Sequence, residues 1–226
     1  MTDGSGLVDR LRRGDEAAYR EVVRLHHAGL VRLAQAFCGV RATAEEVVQD
    51  AWVAVFTGIE GYVGAAPLRS WIAGIVVNLA RKRGVRDGRM RSFSDLARQE
   101  AADGVPAPDS DRFRADGAWA DPPTPWDGLT PEREVGGRQM LEHLAAAVEA
   151  LPPAQRAVVL LCDVEGHDAA EVCRMLDITH GNMRVLLHRA RARLRARMEA
   201  LARTEAPGAT IEAAAWSGAR RRGRPL

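Results

Sequence analysis

The stretch from Asp168 to Met198 constrains the fold more than any other part of the chain, because it holds two helical patterns around a tight turn. Before the turn, apolar residues recur at i, i+3, i+4 and i+7, which is the spacing of one buried helix face. Asp177 stands where a left-handed residue reverses the chain direction, and Asp tolerates that conformation better than most residues. Thr179 follows as an N-cap residue for the second helix. The stretch therefore predicts a helix-turn-helix.

The second helix of this pair combines a narrow apolar stripe with a dense set of arginines. The stripe has spacings of four and three residues: Met183, Leu187, Ala190, Leu194, Met198 and Leu201. No acidic residue stands between Arg184 and Met198. Guanidinium groups bind phosphates bidentately, and the N-terminus of such a helix suits a major groove. We predict a DNA-recognition helix near His180 to Arg191. A solvated surface helix is the alternative, since arginine is the chain's default cation and Lys82 is its one lysine.

Composition favours helices and limits the classes of protein that the chain can belong to. Aromatic residues make up 5% of its 226 residues, and runs of β-branched residues are missing. No segment approaches the roughly 20 apolar residues of a membrane span, and the first residues do not resemble a secretory signal. The three cysteines are scattered and predict no disulfide framework, so we expect a reducing, cytoplasmic location and no membrane insertion.

The N-terminal part, residues 1–95, reads as an all-α domain of about four helices. Asp15 is positioned to cap a helix that turns Ala18, Val22 and Leu25 inward. Further along, Thr43 and Glu46 have the spacing of a capping box at the start of a helix over 44–56. A helix over 68–83 follows, with an apolar stripe of period 3.6, and the basic run RKRGVRDGRMR closes the domain.

The remaining chain divides into a linker, a second helical domain and a tail. Residues 96–137 carry six prolines and nine acidic against four basic residues, which predicts a flexible acidic linker. A small all-α domain is predicted over 138–203, with Leu141 and Leu144 turned inward ahead of the helix-turn-helix. Residues 204–226 are predicted to be a disordered tail. The predicted fold class is therefore all-α, with an N-terminal helical bundle and a C-terminal helix-turn-helix domain joined by the linker.

Four stretches in this order resemble the extracytoplasmic-function (ECF) sigma factors, the promoter-recognition subunits of bacterial RNA polymerase in the sigma-70 family. They are GDEAAYREVVRLHHAGLVRLA, ATAEEVVQDAWVAVF, LRSWIAGIVVNLARKR and LPPAQRAVVLLCDVEGHDAAEVCRMLDITHGNMRVLLHRARARLR. The resemblance implies a polymerase-binding helix, a promoter-melting helix and a C-terminal reader of duplex DNA. It also implies that core RNA polymerase and promoter DNA are partners, and it suggests an anti-sigma factor as a further one.

The resemblance assigns expected roles to three groups of residues. The expected polymerase-binding residues are Glu45, Glu46, Gln49 and Asp50. The expected residues at the −10 element, where DNA is melted, are Arg69, Trp71, Asn78, Arg81 and Lys82; core packing is an alternative role for Trp71, which lies on the apolar stripe. The expected residues at the −35 element are His180, Asn182, Arg184, His188, Arg189 and Arg191. Val185 and Leu186 replace a small polar and a basic residue that many family members carry, which leaves Arg184 as the main base-reading candidate.

Other classes of function remain as alternatives. One is a stand-alone helix-turn-helix regulator that binds an operator without polymerase. Another is a metal or redox site built from Cys162, His167, Cys173 and His180, but their spacings are not those of a standard zinc site. Cys162 and Cys173 lie on apolar stripes, where cysteine behaves as a small hydrophobic residue. We expect no metal, no cofactor and no enzymatic activity, since the sequence has no catalytic motif.

Overall fold

The computed structural model describes residues 4–88, 93–102 and 131–205, and this part of the chain is all-α. No strand occurs in these ranges, so the predicted fold class is confirmed there. The helices are α1 (Gly4–Arg12), α2 (Glu16–Cys38), α3 (Arg41–Gly58), α4 (Leu68–Arg86), α5 (Phe93–Ala102), α6 (Pro131–Glu149), α7 (Pro153–Val159), α8 (Ala169–Leu176) and α9 (His180–Glu205). A 3₁₀ turn (Ile59–Gly61) follows α3, and a π-helical turn (Leu160–Val164) follows α7. The predicted tail beyond residue 205 and residues 103–130 of the predicted linker lie outside the described residues.

Helices α2, α3 and α4 pack pairwise and form the N-terminal bundle. The carboxylate of Asp15 accepts from the backbone N–H groups of Ala17 and Ala18, so its predicted role as the N-cap of α2 is confirmed. Ala18 and Val22 are buried as predicted, but Leu25 is 57% exposed. The prediction for Leu25 was wrong because no described element covers that side of α2.

The capping box predicted at the start of α3 does not form. Helix α3 begins three residues earlier than predicted, with Val40 in an extended conformation as its cap residue. Gly39 has a φ of 74° and ends α2, so the next helix starts almost at once. The amide of Ala44 already donates to Val40 O at 3.0 Å, and Thr43 therefore lies inside the first turn. Glu46 pairs with Arg83 of α4 instead, at 3.2 Å.

The C-terminal half consists of α6 to α9. Among the α6 side chains that the structure describes, from residue 140 onward, Ala147 is buried, whereas Leu141 is 66% exposed and Leu144 is 37% exposed. The inward orientation predicted for these two leucines was therefore wrong, and their side chains line an open groove with Arg32 of α2. Gly166 has a φ of 67° and lies in the turn that leads to α8.

The helix-turn-helix is formed by α8 and α9. Asp168 and Glu171 make a capping box on α8 that the sequence analysis did not anticipate. Asp177 has φ 56° and ψ 52°, the left-handed conformation that was predicted. Thr179 Oγ1 accepts from the backbone N–H of Asn182 at 3.2 Å, which confirms the predicted cap on α9. The predicted stripe is buried at Met183, Leu187 and Ala190, and Leu186 beside it is also fully buried.

Helix α5 links the two halves in space. It covers residues 96–102 of the predicted linker, where Ala97 and Glu100 are buried against other elements. A short amphipathic helix that packs against existing cores needs no core of its own. For this reason the apolar periodicity of the sequence did not predict α5. Residues of α2 to α4 and of α7 to α9 join one hydrophobic cluster. The domain boundaries at 95, 137 and 203 stay predictions.

None of the helices in the described part combines the length and the apolar character that crossing a bilayer requires.

We expect the free energy of unfolding to respond to the turn residue of the helix-turn-helix. Asp177→Val should lower it by about 1–2 kcal/mol, because a β-branched side chain is strained in the left-handed region. Asp177→Gly should keep or raise it, since glycine adopts this conformation without a Cβ clash. Urea denaturation measures both changes. Equal losses in the two variants would show that backbone strain is not the cause.

Candidate nucleic-acid interface

The face of α9 that points away from the protein carries the chemistry of a base reader. His180, Arg184 and Val185 are exposed, with His180 and Arg184 one helical turn apart, whereas Met183 and Leu186 are buried. An imidazole and a guanidinium supply donors for base edges, and guanidinium pairs bidentately with guanine. The burial of Leu186 shows why this position cannot carry a DNA-facing basic residue here: it belongs to the core.

The other predicted residues of α9 point partly or wholly back into the protein. Asn182 and His188 are half-buried. Arg189 Nη1 donates to Glu100 O of α5 at 2.6 Å. Arg191 makes a two-point contact with the carboxylate of Asp163, at 2.9 Å from Nε and 2.6 Å from Nη2. In this arrangement Arg189 and Arg191, two of the residues expected at the −35 element, are therefore engaged with protein groups.

A second basic surface lies at the C-terminal end of α4. Asn78 and Lys82 are exposed and Arg81 is half-buried. They line an open groove of about 540 Å³ together with Val85 and Arg86. Arg86 was not among the predicted site residues. Its spacing of four from Lys82 within the basic run is the signal that identifies it.

The loop before α4 forms an aromatic corner. The rings of Tyr62 and Trp71 lie 5.2 Å apart at 47°, and the half-buried Trp71 packs against the core, as its alternative role requires. Tyr62 hydroxyl donates to Ala66 O at 2.5 Å, which holds the loop closed on itself. A cavity of about 450 Å³ opens beside it and is lined by Val63 and Gly64. The sequence analysis did not include Tyr62 among the site residues. The position of an aromatic residue in a glycine-rich loop is the feature that could have identified it.

The start of α4 contacts the C-terminal half. Arg69 donates to Glu165 O at 3.2 Å and to Gly166 O at 2.9 Å. The buried hydroxyl of Ser70 lies 3.0 Å from Nδ1 of the buried His167. Burial lowers the pKa of His167, and the nearby Arg69 guanidinium lowers it further, while Glu171 and Glu165 oppose that shift. His167 is therefore neutral at neutral pH.

The residues predicted to meet polymerase are arranged along the outer side of α3. Gln49 and Asp50 are exposed. Glu45 accepts from Arg41 at 2.8 Å, and Glu46 pairs with Arg83. The outer side of the helix thus offers an exposed amide and an exposed carboxylate, next to two carboxylates that pair with arginines.

The geometry gives no support to a metal or redox site. No group of three or more His, Cys, Asp or Glu side chains within the described ranges is arranged to hold a metal ion. Cys38, Cys162 and Cys173 are present as thiols rather than in disulfide bonds. Burial, reinforced by the neighbouring Asp163, raises the pKa of Cys162 to about 12, so its thiolate form is scarce at neutral pH.

Comparisons with known proteins match both halves of the chain. The model of sigma-70 region 2 matches residues 22–90, and that of sigma-70 region 4 matches residues 141–194. The ECF RNA polymerase sigma factor SigE of Mycolicibacterium smegmatis is 31% identical over 185 residues, covering 80% of this chain and 63% of the relative. The chain belongs to the ECF sigma factors of the sigma-70 family. The ECF RNA polymerase sigma-E factor of Escherichia coli is 23% identical over 197 residues, covering 87% of this chain and 95% of that protein.

Two solved structures share the fold. CnrH, solved in complex with the cytosolic domain of CnrY, superposes with a TM-score of 0.50 at 21% identity over 88% of this chain and 99% of that one. RpoE from Bartonella quintana, solved with the anti-sigma factor NepR, gives a TM-score of 0.50 at 16% identity over 80% and 96% of the two chains. At this level of identity the likeness supports the fold alone.

We expect stability to fall as the solution becomes acidic, because His167 is held neutral in the folded chain. The lowered pKa means that the unfolded state takes up a proton first, as pH falls through about 6.5, its ordinary value. The free energy of unfolding should therefore decrease below that pH by at most about 1.4 kcal/mol per pH unit for this group. Chemical denaturation at pH 7.5 and 5.5 measures the effect. His167→Asn should flatten the dependence, and an unchanged slope would contradict the assignment.

Proposed function

We propose that the chain is a promoter-specificity subunit that binds core RNA polymerase, recognises the −35 and −10 elements and assists DNA melting. The observation that carries this proposal is the order of the two matches: region 2 precedes region 4 in one chain. A helix-turn-helix alone fits many regulators. A second basic surface on α4, behind an aromatic loop and beside an acidic helix face, fits a sigma subunit.

We assign −35 recognition to the N-terminal half of α9. Arg184 and His180 supply donors to base edges from the exposed face, and Asn182 supports an adenine contact once the helix enters the groove. His188, Arg189 and Arg191 contact phosphates, which fixes the position of the helix without reading sequence. The two arginines must leave Glu100 and Asp163 to do so.

We assign −10 recognition to α4 and the loop before it. Asn78 reads a base edge, while Arg69, Arg81 and Lys82 hold phosphates of the melted strand. Unstacking a base costs a few kcal/mol, so the opened base needs a receiving cavity. The cavity beside Tyr62 supplies one, and Trp71 supports its wall from the core.

We assign polymerase binding to the outer side of α3, where Glu45, Glu46, Gln49 and Asp50 meet basic groups of core polymerase. The chain acts in the cytoplasm, where that enzyme is found, and an anti-sigma factor is a further candidate partner. The polymerase supplies the chemistry, so the chain itself needs no cofactor, metal or catalytic residue.

Two experiments separate this function from that of a stand-alone regulator. Run-off transcription with purified core polymerase on a promoter library should yield defined transcripts that depend on the chain. A gel shift with duplex DNA alone should show weak binding in the absence of polymerase. Tight operator binding without polymerase, together with no run-off product, would instead establish the regulator.

We expect Arg184→Ala to weaken −35 recognition by the holoenzyme. Loss of one bidentate base contact should lower affinity for a promoter fragment by about 1–3 kcal/mol and relax specificity at one position. Fluorescence anisotropy with −35 variants measures both effects. Arg24→Ala is the matched control, since this exposed arginine lies on α2 outside both DNA surfaces. Equal effects of the two substitutions would indicate a loss of net charge only.

We expect Asp50→Arg to weaken binding of the chain to core polymerase by at least about tenfold, because charge reversal places like charges together at the interface. The effect should shrink at high salt. Affinity is measured by titrating labelled chain with core polymerase. Glu60→Arg, the same reversal at an exposed site in the 3₁₀ turn, is the control and should bind normally. Normal binding by both variants would remove α3 from the interface.

A further inference from the structure

Helix α1 supplies part of the wall of the cavity beside Tyr62. The match to sigma-70 region 2 begins at residue 22, so α1 lies ahead of the matched residues. Asp9 and Arg12 of this helix nevertheless line the same cavity of about 450 Å³ as Tyr62 and Gly64 of the loop. The cavity is therefore built from two parts of the chain, one of which the match to the family does not cover.

Helix α1 is held firmly against α2. Leu11 is fully buried, and its carbonyl accepts from the hydroxyl of Tyr19 at 2.7 Å. Arg10 pairs with the carboxylate of Asp15, the N-cap residue of α2, at 2.7 Å. These contacts fix the backbone of α1 before any ligand arrives, which reduces the ordering cost of binding at this wall.

Arg12 connects this wall to the loop before α4. Its Nη2 atom donates to Tyr62 O at 2.5 Å, although the two residues are 50 positions apart. Gly64 has a φ of 75°, and a Cβ added there would meet no heavy atom within 4 Å, so the space beside the turn is open. The guanidinium group thus sets the separation between α1 and the loop, on which the width of the cavity depends.

Asp9 and Arg12 place opposite charges at the cavity. Arg12 Nη1 lies 3.7 Å from Asp9 Oδ1, and the two side chains are 35% and 60% exposed. An ion pair this exposed contributes little to stability. A guanidinium group has five N–H donors, so Arg12 keeps donors for a ligand beyond its contacts with Asp9 and Tyr62. A carboxylate only accepts, and the pair therefore presents an acceptor next to a donor.

This pair has the chemistry to distinguish one base from another. A carboxylate repels phosphates, so at a surface that binds nucleic acid it favours binding only when it accepts from a base, as Asp does from cytosine N4. Tyr62 offers an aromatic ring, and such rings stack on any base. The other residues that line the cavity carry no polar side-chain atom: Val8, Val63, Gly64, Pro67 and Leu68. Asp9 and Arg12 are therefore the groups that are able to select.

We propose that Asp9 and Arg12 select the opened base that enters this cavity, and that the base is cytosine or adenine. Asp9 accepts from the exocyclic amino group, and Arg12 donates to the ring nitrogen beside it, N3 of cytosine or N1 of adenine. Thymine and guanine present a carbonyl oxygen beside an N–H group, so the carboxylate would face an acceptor and the guanidinium a donor. The proposal rests on the proposed function, which supplies the melted strand.

The selection is tested with holoenzyme assembled from core polymerase and the full chain. Fork-junction promoter fragments are randomised across the non-template strand of the −10 element, and the bound fragments are sequenced. One position should favour cytosine or adenine over thymine and guanine by about tenfold, the scale of one good base contact. The favoured base of the two identifies which one the cavity takes.

Asp9→Asn shows whether that preference comes from α1. The amide places an N–H₂ donor where only acceptors stood, so the preference at this position should fall to about twofold or less while other positions stay unchanged. Glu16→Gln is the matched control, because it makes the same change on an exposed residue outside the cavity. An unchanged preference in Asp9→Asn would overturn the proposal, as would a preference for thymine or guanine at the position that Asp9→Asn affects.

The contact of Arg12 with the loop is tested in the free chain, without polymerase or DNA. Arg12→Ala should speed hydrogen exchange of the amides of residues 63–66 about fivefold, because the loop loses one hydrogen bond to α1. Arg13→Ala removes the neighbouring exposed arginine, which does not line the cavity, and should leave exchange unchanged. Equal exchange in the two variants would overturn the role of Arg12 in holding the loop.

The two levels of inference fail in different ways. If wild-type holoenzyme retains no promoter fragment and gives no run-off product, the proposed function is rejected, and the selection of a base at this cavity is rejected with it. If the holoenzyme binds fragments with a base preference that Asp9→Asn leaves intact, the proposed function stands and the role of α1 is rejected.

Discussion

Burial of the apolar stripe of α9 is the interaction on which the rest of the C-terminal half depends. Met183, Leu186 and Ala190 are fully or almost fully buried, and they fix the rotation of the helix about its axis. Once that rotation is fixed, His180 and Arg184 have to face solvent. The arginines farther along the helix then extend to the side, where their guanidinium groups donate hydrogen bonds to carbonyls and carboxylates of the protein. The packing of the core thus decides which side chains of α9 are exposed to read bases.

Arginine chemistry links this core to the interface between the halves. Each guanidinium group presents five donors in a planar fork and stays charged at any accessible pH. In the absence of DNA, such groups find carbonyls and carboxylates of the protein, as Arg69 does at Gly166 and Arg191 does at Asp163. The side chains suited to phosphate are therefore also suited to hold the molecule closed.

Local signals predicted the helices and the turn well. The left-handed Asp177, the cap at Thr179 and the cap at Asp15 follow from short-range hydrogen bonding and backbone sterics, which a sequence window contains. One error was local, because α3 begins three residues before the capping box predicted at Thr43. The others arose where more distant elements decide. Leu25 and Leu141 fit apolar stripes, yet the described part of the chain leaves more than half of each residue exposed. Tyr62 and Arg86 join the candidate site through the packing of a loop and a helix end, for which one-dimensional spacing is a weak guide.

The sequence by itself determined an all-α chain, a helix-turn-helix with an arginine-rich second helix, a basic run that begins in the last turns of α4, and the resemblance to ECF sigma factors. These properties depend on helical period, caps and residue chemistry, all of which act over a few residues. Tertiary structure alone decided that α5 forms within the predicted linker, that Glu100 meets α7 54 residues away, and that Arg69 and Arg189 are held by protein carbonyls. Contacts of this kind depend on where separate helices come to rest, and long-range packing sets that position.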